Sequence, residues 1–229
     1  MEPVEQTILA LIPAYNEAQR VGGVVQRAVA YLPVLVVDDG SFDQTAAVAK
    51  QAGAQVLLQR PNRGKGAALR AGFRQALDND YQAVVTLDAD GQHDPDEIPA
   101  FLQAYCARKA DLIIGERDFR KMPFIRRLAN SLGGWLFSWG MGQSVRDNQS
   151  GYRLISRRLM EAMLASGEHG FEFEVEMLVS AVRLGMCIDW VPIRTIYAGE
   201  SSHIHVGEHA LHFIRMVVSA RRSRLEGKK

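Results

Sequence analysis

The chain has 229 residues, of which 47% are hydrophobic and 23% charged, and this composition is typical of a globular protein with a sizeable core. A formal net charge of +1 excludes the strong basic field of a DNA-binding protein, so we expect no nucleic acid partner. The N-terminus lacks the positive charge of a signal peptide, and the longest uncharged stretch, residues 128–145, is too polar to cross a bilayer. We therefore expect a cytoplasmic protein, in which Cys106 and Cys187 are buried packing residues.

Short apolar runs alternate with helical periodicity along the first half of the chain. The pattern predicts strands at 7–15, 34–41, 54–59, 81–90 and 110–117, and helices at 16–32 (capped by Asn16), 43–53, 66–80 and 95–109. This alternation predicts an α/β fold with a mainly parallel central sheet and helices on both faces. Further on we expect a helix at 168–185, an extended segment at 186–197 and a C-terminal basic helix at about 207–229.

Polar residues follow three of the predicted strands. They form the segments "PAYNE" at 13–17, "DDGS" at 38–41 and "DADGQH" at 88–93. In open α/β sheets ligands bind at the carboxyl ends of the strands. We therefore expect the three segments to meet in one crevice.

The "DADGQH" segment is a candidate metal site. Asp88 and Asp90 repel one another at the end of a buried strand, and a divalent cation would relieve that repulsion. Oxygen ligands suit Mg²⁺ or Mn²⁺, and Gln92 or His93 could supply a further ligand. A solvated turn in which Asp94 caps the next helix explains the same residues equally well. The spacing excludes an EF-hand loop, which needs a glycine and a bidentate glutamate at positions that other residues hold here.

Two other segments suit an anionic, ring-bearing ligand. Lys65 lies between two glycines in a flexible, cationic helix entry, although a plain glycine-rich turn is an alternative. The segment lacks the first glycine of a Walker A loop and the last glycine of a dinucleotide fingerprint, so neither motif is present. Asp38 and Asp39 precede Gly40 and Ser41, which leave room for a planar ring, and one of the two carboxylates is a candidate ligand for it, whereas Asp43 is expected to cap a helix.

The ordered set "IPAYNE", "VVDDGSFDQT", "NRGKGAALRAGF", "TLDADGQHDPDEIP", "GER" and "DNQSGYRLIS" resembles family 2 glycosyltransferases of the GT-A fold. The resemblance is closest to the dolichol-phosphate mannose synthase-like, polyprenyl-phosphate glycosyltransferase branch, and it covers roughly residues 7–200. It implies a single GT-A domain over 1–229. The nucleotide-binding half would span about 1–116 and the acceptor-side half about 117–206, followed by the C-terminal basic helix.

The resemblance also assigns roles to residues of this sequence. It places the base and ribose of a nucleotide sugar against Pro13, Ala14, Tyr15, Glu17, Asp39 and Lys65. It places Mg²⁺ or Mn²⁺ on Asp88, Asp90 and Gln92, where the ion would bridge the diphosphate. It puts Arg117 on the phosphates, and Asp147, Ser150 and Arg153 in a loop beside the sugar and acceptor. Asp90, Arg117, Asp147 and Arg153 are the implied catalytic residues.

The implied reaction is metal-dependent transfer of a hexose, mannose or glucose, to a polyprenyl or dolichyl phosphate. The donor would be of the GDP-mannose or UDP-glucose type, and a single in-line displacement would invert the anomeric centre. A lipid phosphate is already an anion, so no strong general base is needed. Two alternatives stay open: a glycosyltransferase of the same fold with a soluble acceptor, and a non-catalytic nucleotide-sugar-binding partner of a separate membrane protein.

Three further features have two explanations each. His203 and His205 could bind the metal or phosphate, or form an exposed pair. Glu172, Glu174 and Glu176 could lie near the site, or carry surface charge on a helix. Residues 120–146 combine cations with aromatic side chains, which suits peripheral contact with the inner face of a membrane, but the same aromatics could form a folded core.

Overall fold

The structure, a computed structural model, describes residues 7–117, 145–147, 150–165 and 173–194. Several sequence predictions lie outside these ranges: His203, His205, Glu172, nearly all of the segment 120–146 and the C-terminal basic helix. Within the described ranges, no helix has both the length and the apolar character needed to span a membrane.

The described residues form one seven-stranded sheet with six α-helices. The strands are β1 (Ile8–Ala14), β2 (Val34–Asp38), β3 (Gln55–Leu58), β4 (Ala83–Thr86), β5 (Leu112–Arg117), β6 (Arg153–Ser156) and β7 (Ile188–Ile193). The helices are α1 (Val21–Ala28), α2 (Thr45–Gln51), α3 (Lys65–Asp78), α4 (Ile98–Arg108), α5 (Arg157–Ala165) and α6 (Phe173–Arg183), and a 3₁₀ turn (Pro95–Glu97) precedes α4. The strand order is β3-β2-β1-β4-β6-β5-β7, and only β6 runs antiparallel to its neighbours.

The sheet is covered on both faces, as the sequence predicts. Successive side chains of a strand point to opposite faces, so β1 contributes to two cores. Leu9 and Leu11 pack on the face that holds Phe73 of α3, whereas Ile8 and Ile12 pack on the opposite face. This two-sided burial explains why β1, β2 and β4 are almost continuously apolar.

The second half of the chain joins the same sheet through β6, a strand that the sequence analysis did not predict. Its sequence "RLIS" has only four residues and runs directly into α5, so neither a turn signal nor a strand period marks it. It pairs antiparallel with β4, with Thr86 opposite Arg153. Since β6 is antiparallel, its first residue lies at the carboxyl end of β4 and brings residues 150–152 to that edge.

Two predictions about local packing are wrong. Helix α1 begins at Val21, and Asn16 does not cap it. Asn16 instead adopts a left-handed backbone conformation (φ 55°), and its side chain accepts the backbone N–H of Phe42. Cys106 and Cys187 are exposed, because one lies on the outer side of α4 and the other just before the first residue of β7.

Candidate active site

A crevice of about 530 Å³ opens at the carboxyl ends of β1, β2 and β4. It is lined by Pro13, Ala14, Tyr15, Glu17, Asp39, Asn62, Gly64, Lys65, Ala68, Asp88, Ala89 and Asp90. The three polar segments therefore converge as predicted, together with the first turns of α3. Asn62, Ala68 and Ala89 could not be predicted from the sequence, because small or uncharged residues in a loop or helix carry no chemical signal of their own.

One wall of the crevice consists of two loops that hydrogen bonds hold together. The loop after β1 donates three backbone N–H groups to side chains of the segment that leads from β2 into the first residue of α2: Asn16 to Ser41 (2.9 Å), Glu17 to Thr45 (2.8 Å) and Ala18 to Asp43 (3.1 Å). Asp43 also accepts the backbone N–H of Thr45, the first residue of α2, but the residue at the N-cap position is Gln44, so Asp43 acts from one residue before the predicted cap. These bonds fix the edge on which Tyr15 is exposed beside Phe42.

Asp39 holds the loop that leads into α3. Its carboxylate is buried and accepts the backbone N–H groups of Arg63 (2.9 Å) and Gly64 (2.7 Å) and the side-chain amide of Gln59 (2.6 Å). Gly64 has a φ of 87°, a conformation that a residue with a side chain adopts only with strain. Asp39 thus has a structural role at the crevice, and its contact with a nucleotide base stays a prediction.

A lysine bridges two carboxylates at the floor of the crevice. The Nζ atom of Lys65 lies 2.6 Å from Oδ1 of Asp88 and 2.9 Å from Oε1 of Glu174. Burial alone would raise the pKa values of both carboxyl groups, but the surrounding cations, of which the Lys65 ammonium group contributes most, together hold both pKa values below their usual range. The same two carboxylates outweigh burial at Lys65 and raise its pKa. All three groups are therefore charged at neutral pH.

The glutamates of α6 belong to the interior and not to a solvated helix surface. Glu174 reaches Lys65 at the crevice, and Glu176 is buried and pairs with Arg70 of α3, with 2.7 Å between Nη2 and Oε1. The surface-charge explanation is therefore wrong for both residues. Two ion pairs between α3 and α6 instead join the second half of the chain to the first.

The loop after β4 is held by His93. The backbone N–H of Asp88 donates to Nδ1 of His93 (3.0 Å), and the imidazole ring packs on Tyr152, with 5.0 Å between the ring centroids. Burial lowers the pKa of His93, which favours the neutral imidazole, the form in which Nδ1 can accept this bond. Asp94 accepts the backbone N–H of Asp96, so its predicted capping role is confirmed.

The donor set at this loop fits a hard divalent ion. Asp88 and Asp90 both line the crevice, and Asp90 accepts the backbone N–H of Gln92 (2.9 Å). No group of three or more His, Cys, Asp or Glu side chains in the described part of the chain is arranged to hold a metal. Mg²⁺ needs no such cage, because one or two carboxylates together with substrate phosphates and water commonly hold it. Two carboxylates, with the Gln92 amide in the same turn, match that requirement.

Arg117 and Asp147 form a bidentate ion pair beside the crevice. The Nε and Nη2 atoms of Arg117 donate to the two carboxylate oxygens of Asp147 at 2.6 and 2.9 Å. Asp147 is only 1% exposed and also accepts the backbone N–H of Ser150 (3.1 Å). Arg117 is one of the cations that lower the pKa of Asp88, so its charge acts on the site. The hydroxyl of Ser150 is buried and has no hydrogen-bond partner among the residues that the structure describes.

Arg153 has a structural position. Its side chain is fully buried, and it donates to the backbone carbonyl groups of Ser150 (2.7 Å) and Glu174. Burial lowers its pKa to about 10, so the guanidinium remains charged at neutral pH. These contacts favour a positioning role, in which Arg153 holds the 150–152 loop and α6, over the catalytic role implied by the sequence resemblance. Gly151 of that loop packs so closely that a Cβ atom would lie 3.0 Å from Lys65 Nζ.

The sheet order, the crevice at the strand ends and the paired aspartates define a glycosyltransferase of the GT-A fold. Residues 10–162 match the model of the family described as Glycosyl transferase family 2, and the chain belongs to that family.

Relatives and solved structures agree with this assignment. The chain is 33% identical over 233 residues to an undecaprenyl-phosphate mannosyltransferase from Micrococcus luteus, covering 93% of this chain and 95% of the relative. It is 30% identical to a UDP-N-acetylglucosamine–dolichyl-phosphate N-acetylglucosaminyltransferase from Methanococcus voltae, covering 84% and 87%. Glucosyl-3-phosphoglycerate synthase from Mycobacterium tuberculosis, solved with Mn²⁺, UDP-glucose and phosphoglyceric acid, superposes with a TM-score of 0.74 over 95% of this chain and 82% of that one. At 23% identity this last likeness shows the fold alone.

Proposed function

We propose that this glycosyltransferase moves a hexose, mannose or glucose, from a nucleoside diphosphate sugar to a polyprenyl phosphate, with inversion and with a divalent metal ion. The observation that carries the proposal is the crevice in which Asp88, Asp90 and Lys65 meet the three polar strand ends. Relatives whose names specify undecaprenyl phosphate and dolichyl phosphate support the choice of acceptor.

The chemistry requires the protein to stabilise a leaving anion. The bond between the anomeric carbon and the diphosphate breaks, the electron pair leaves with the nucleoside diphosphate, and a phosphate oxygen of the acceptor forms the new bond on the opposite face. Lys65 lies in the crevice and the charge of Arg117 acts beside it, so both are placed to offset the developing negative charge. A divalent ion on Asp88 and Asp90, with Gln92, would supply further charge stabilisation to the diphosphate.

The acceptor explains why no strong base is assigned. A polyprenyl phosphate is an anion at neutral pH, so its oxygen attacks without losing a proton first. Such a lipid places the enzyme at the cytoplasmic face of a membrane, where we expect peripheral contact. The donor base and sugar are left to experiment, because the names of the relatives specify both mannose and N-acetylglucosamine transfer.

The test is a donor and acceptor panel with purified protein and Mn²⁺. GDP-mannose, UDP-glucose and UDP-N-acetylglucosamine are each incubated with undecaprenyl phosphate in detergent or with an aqueous metabolite extract. We expect sugar transfer to the lipid from GDP-mannose or UDP-glucose, and transfer from UDP-N-acetylglucosamine alone would contradict the proposed sugar. Transfer only to a water-soluble acceptor would establish the soluble-acceptor alternative. Donor binding without sugar release would establish the non-catalytic alternative, and no donor binding would refute all three.

Two variants connect the activity to the site. Asp90→Asn should lower the rate of transfer by about 10²–10³-fold, the range found when one charge-stabilising group is removed from an active site. Asp96→Asn is the matched control, because it removes a carboxylate that lies near the same loop but pairs with Arg27 on the surface. Full activity of Asp90→Asn would remove the metal role proposed for this residue.

A further inference from the structure

Lys65 and a metal ion at the site would both bind the carboxylate of Asp88. Lys65 Nζ lies 2.6 Å from Oδ1 of Asp88, one of the two carboxylates that fit the metal. On the other side of this pair the chain is closely packed, since a Cβ atom at Gly151 would be 3.0 Å from Nζ and 3.2 Å from Oδ2 of Asp88. A cation and an ammonium group on one carboxylate also repel one another. Binding of an ion to Asp88 therefore works against the Lys65–Asp88 pair.

Lys65 has a second partner that a metal would not take. Glu174 lies 2.9 Å from Nζ, and its only ion-pair partner among the described residues is Lys65. Lys65 is also the first residue of α3 and its side chain is 43% exposed, so Nζ has room to move away from Asp88. Since the site lies at the first turn of α3, the diphosphate of a donor in the crevice offers the ammonium group a third, anionic partner.

We infer that Lys65 competes with the metal ion for Asp88, that Glu174 positions Lys65 for its release, and that the ion consequently binds tightly only together with the donor diphosphate. This inference rests on the proposed function, because it presumes the metal and the donor. Lys65 would thus couple binding of the donor to binding of the metal ion. The donor diphosphate attracts the ammonium group away from Asp88, and the carboxylate of Asp88 is then free to bind the ion. By linkage the ion must then strengthen donor binding by the same factor.

The test measures Mn²⁺ affinity directly, by electron paramagnetic resonance of free Mn²⁺, without any sugar transfer. For Lys65→Met we expect Mn²⁺ alone to bind about fivefold tighter than to the wild type, the ratio expected for loss of one partly exposed ion pair. For Glu174→Gln we expect weaker binding of Mn²⁺ alone, because Asp88 then becomes the sole anionic partner of Lys65 within the described part of the chain. Addition of GDP or UDP should strengthen Mn²⁺ binding more in the wild type than in Lys65→Met.

Two controls separate competition from a general change of charge. Arg63→Met removes a positive charge two residues before Lys65, from an exposed side chain that forms no ion pair with Asp88. Because an exposed charge acts weakly, this variant should change the Mn²⁺ affinity by less than about twofold. In the Lys65→Met background, Glu174→Gln should lose its effect, since its action runs through Lys65. An equal effect of Arg63→Met and Lys65→Met, or a Glu174→Gln effect that persists without Lys65, would overturn the inference.

The two proposals fail differently. If the wild type binds no Mn²⁺ even with GDP or UDP, the metal dependence in the proposed function is wrong. If the wild type binds Mn²⁺ but Lys65→Met binds it no tighter, only the competition is wrong. Circular dichroism should show all variants folded, because Arg63 and Lys65 are exposed, Glu174→Gln keeps the size of the side chain, and none of the changes enlarges a core residue.

Discussion

Replacing Asp147 with asparagine should destabilise the protein by about 2–3 kcal/mol. The carboxylate is almost fully buried and accepts two hydrogen bonds from the guanidinium group of Arg117, at 2.6 and 2.9 Å. Charge-assisted bonds contribute about 1.5–3 kcal/mol each. Arg117 is 22% exposed, so water recovers part of that loss and the estimate stays below the sum of the two bonds. The asparagine amide would also direct a donor group at the guanidinium or at the backbone N–H of Ser150.

The assay is urea unfolding at pH 7, with the midpoint and the slope fitted separately. Glu116→Gln is the matched control, because it also removes a carboxylate from an arginine, but its pair with Arg146 is exposed and should cost less than about 1 kcal/mol. An equal loss in the two variants, or a loss below about 0.5 kcal/mol for Asp147→Asn, would refute the conclusion that this buried pair holds the loop.

Two other substitutions test the core and the loop after β4. Gly72→Ala should lower the free energy of unfolding by about 1–3 kcal/mol, because the added Cβ would lie 2.3 Å from the buried side chain of Leu11. Gly23→Ala is the control and should cost nothing, because its Cβ would have no described atom within 4 Å. Equal urea midpoints for the two variants would contradict this prediction. The lowered pKa of buried His93 means that the unfolded chain binds more protons, so stability should fall as the pH drops from 7 towards 5. His93→Gln should flatten that profile, and an unchanged slope in urea titrations would show that His93 does not cause it.

The strand ends show what local sequence could predict. Each of β1, β2 and β4 is a short apolar run followed by polar residues, so the sequence pattern predicts both the strand and the polar site at its end. Strand β6 was not predicted, because four residues that run directly into a helix have no period to detect. Arg153 was assigned to catalysis from its place in a segment, but only the packing shows that its charge is buried against backbone carbonyl groups.

The acids of "DADGQH" allowed two explanations from the sequence alone, a metal site or a solvated turn. The sequence by itself determined the order of the first five strands with the helices between them, the family and the charged side chains of the three polar strand ends, because these depend on periodicity and on residue type. Only the tertiary structure decided that Glu174, 109 positions after Lys65 in the chain, shares its ammonium group with Asp88. The physical reason is that β6 enters the sheet between β4 and β5 and α6 packs against α3, contacts between distant segments that no local pattern records.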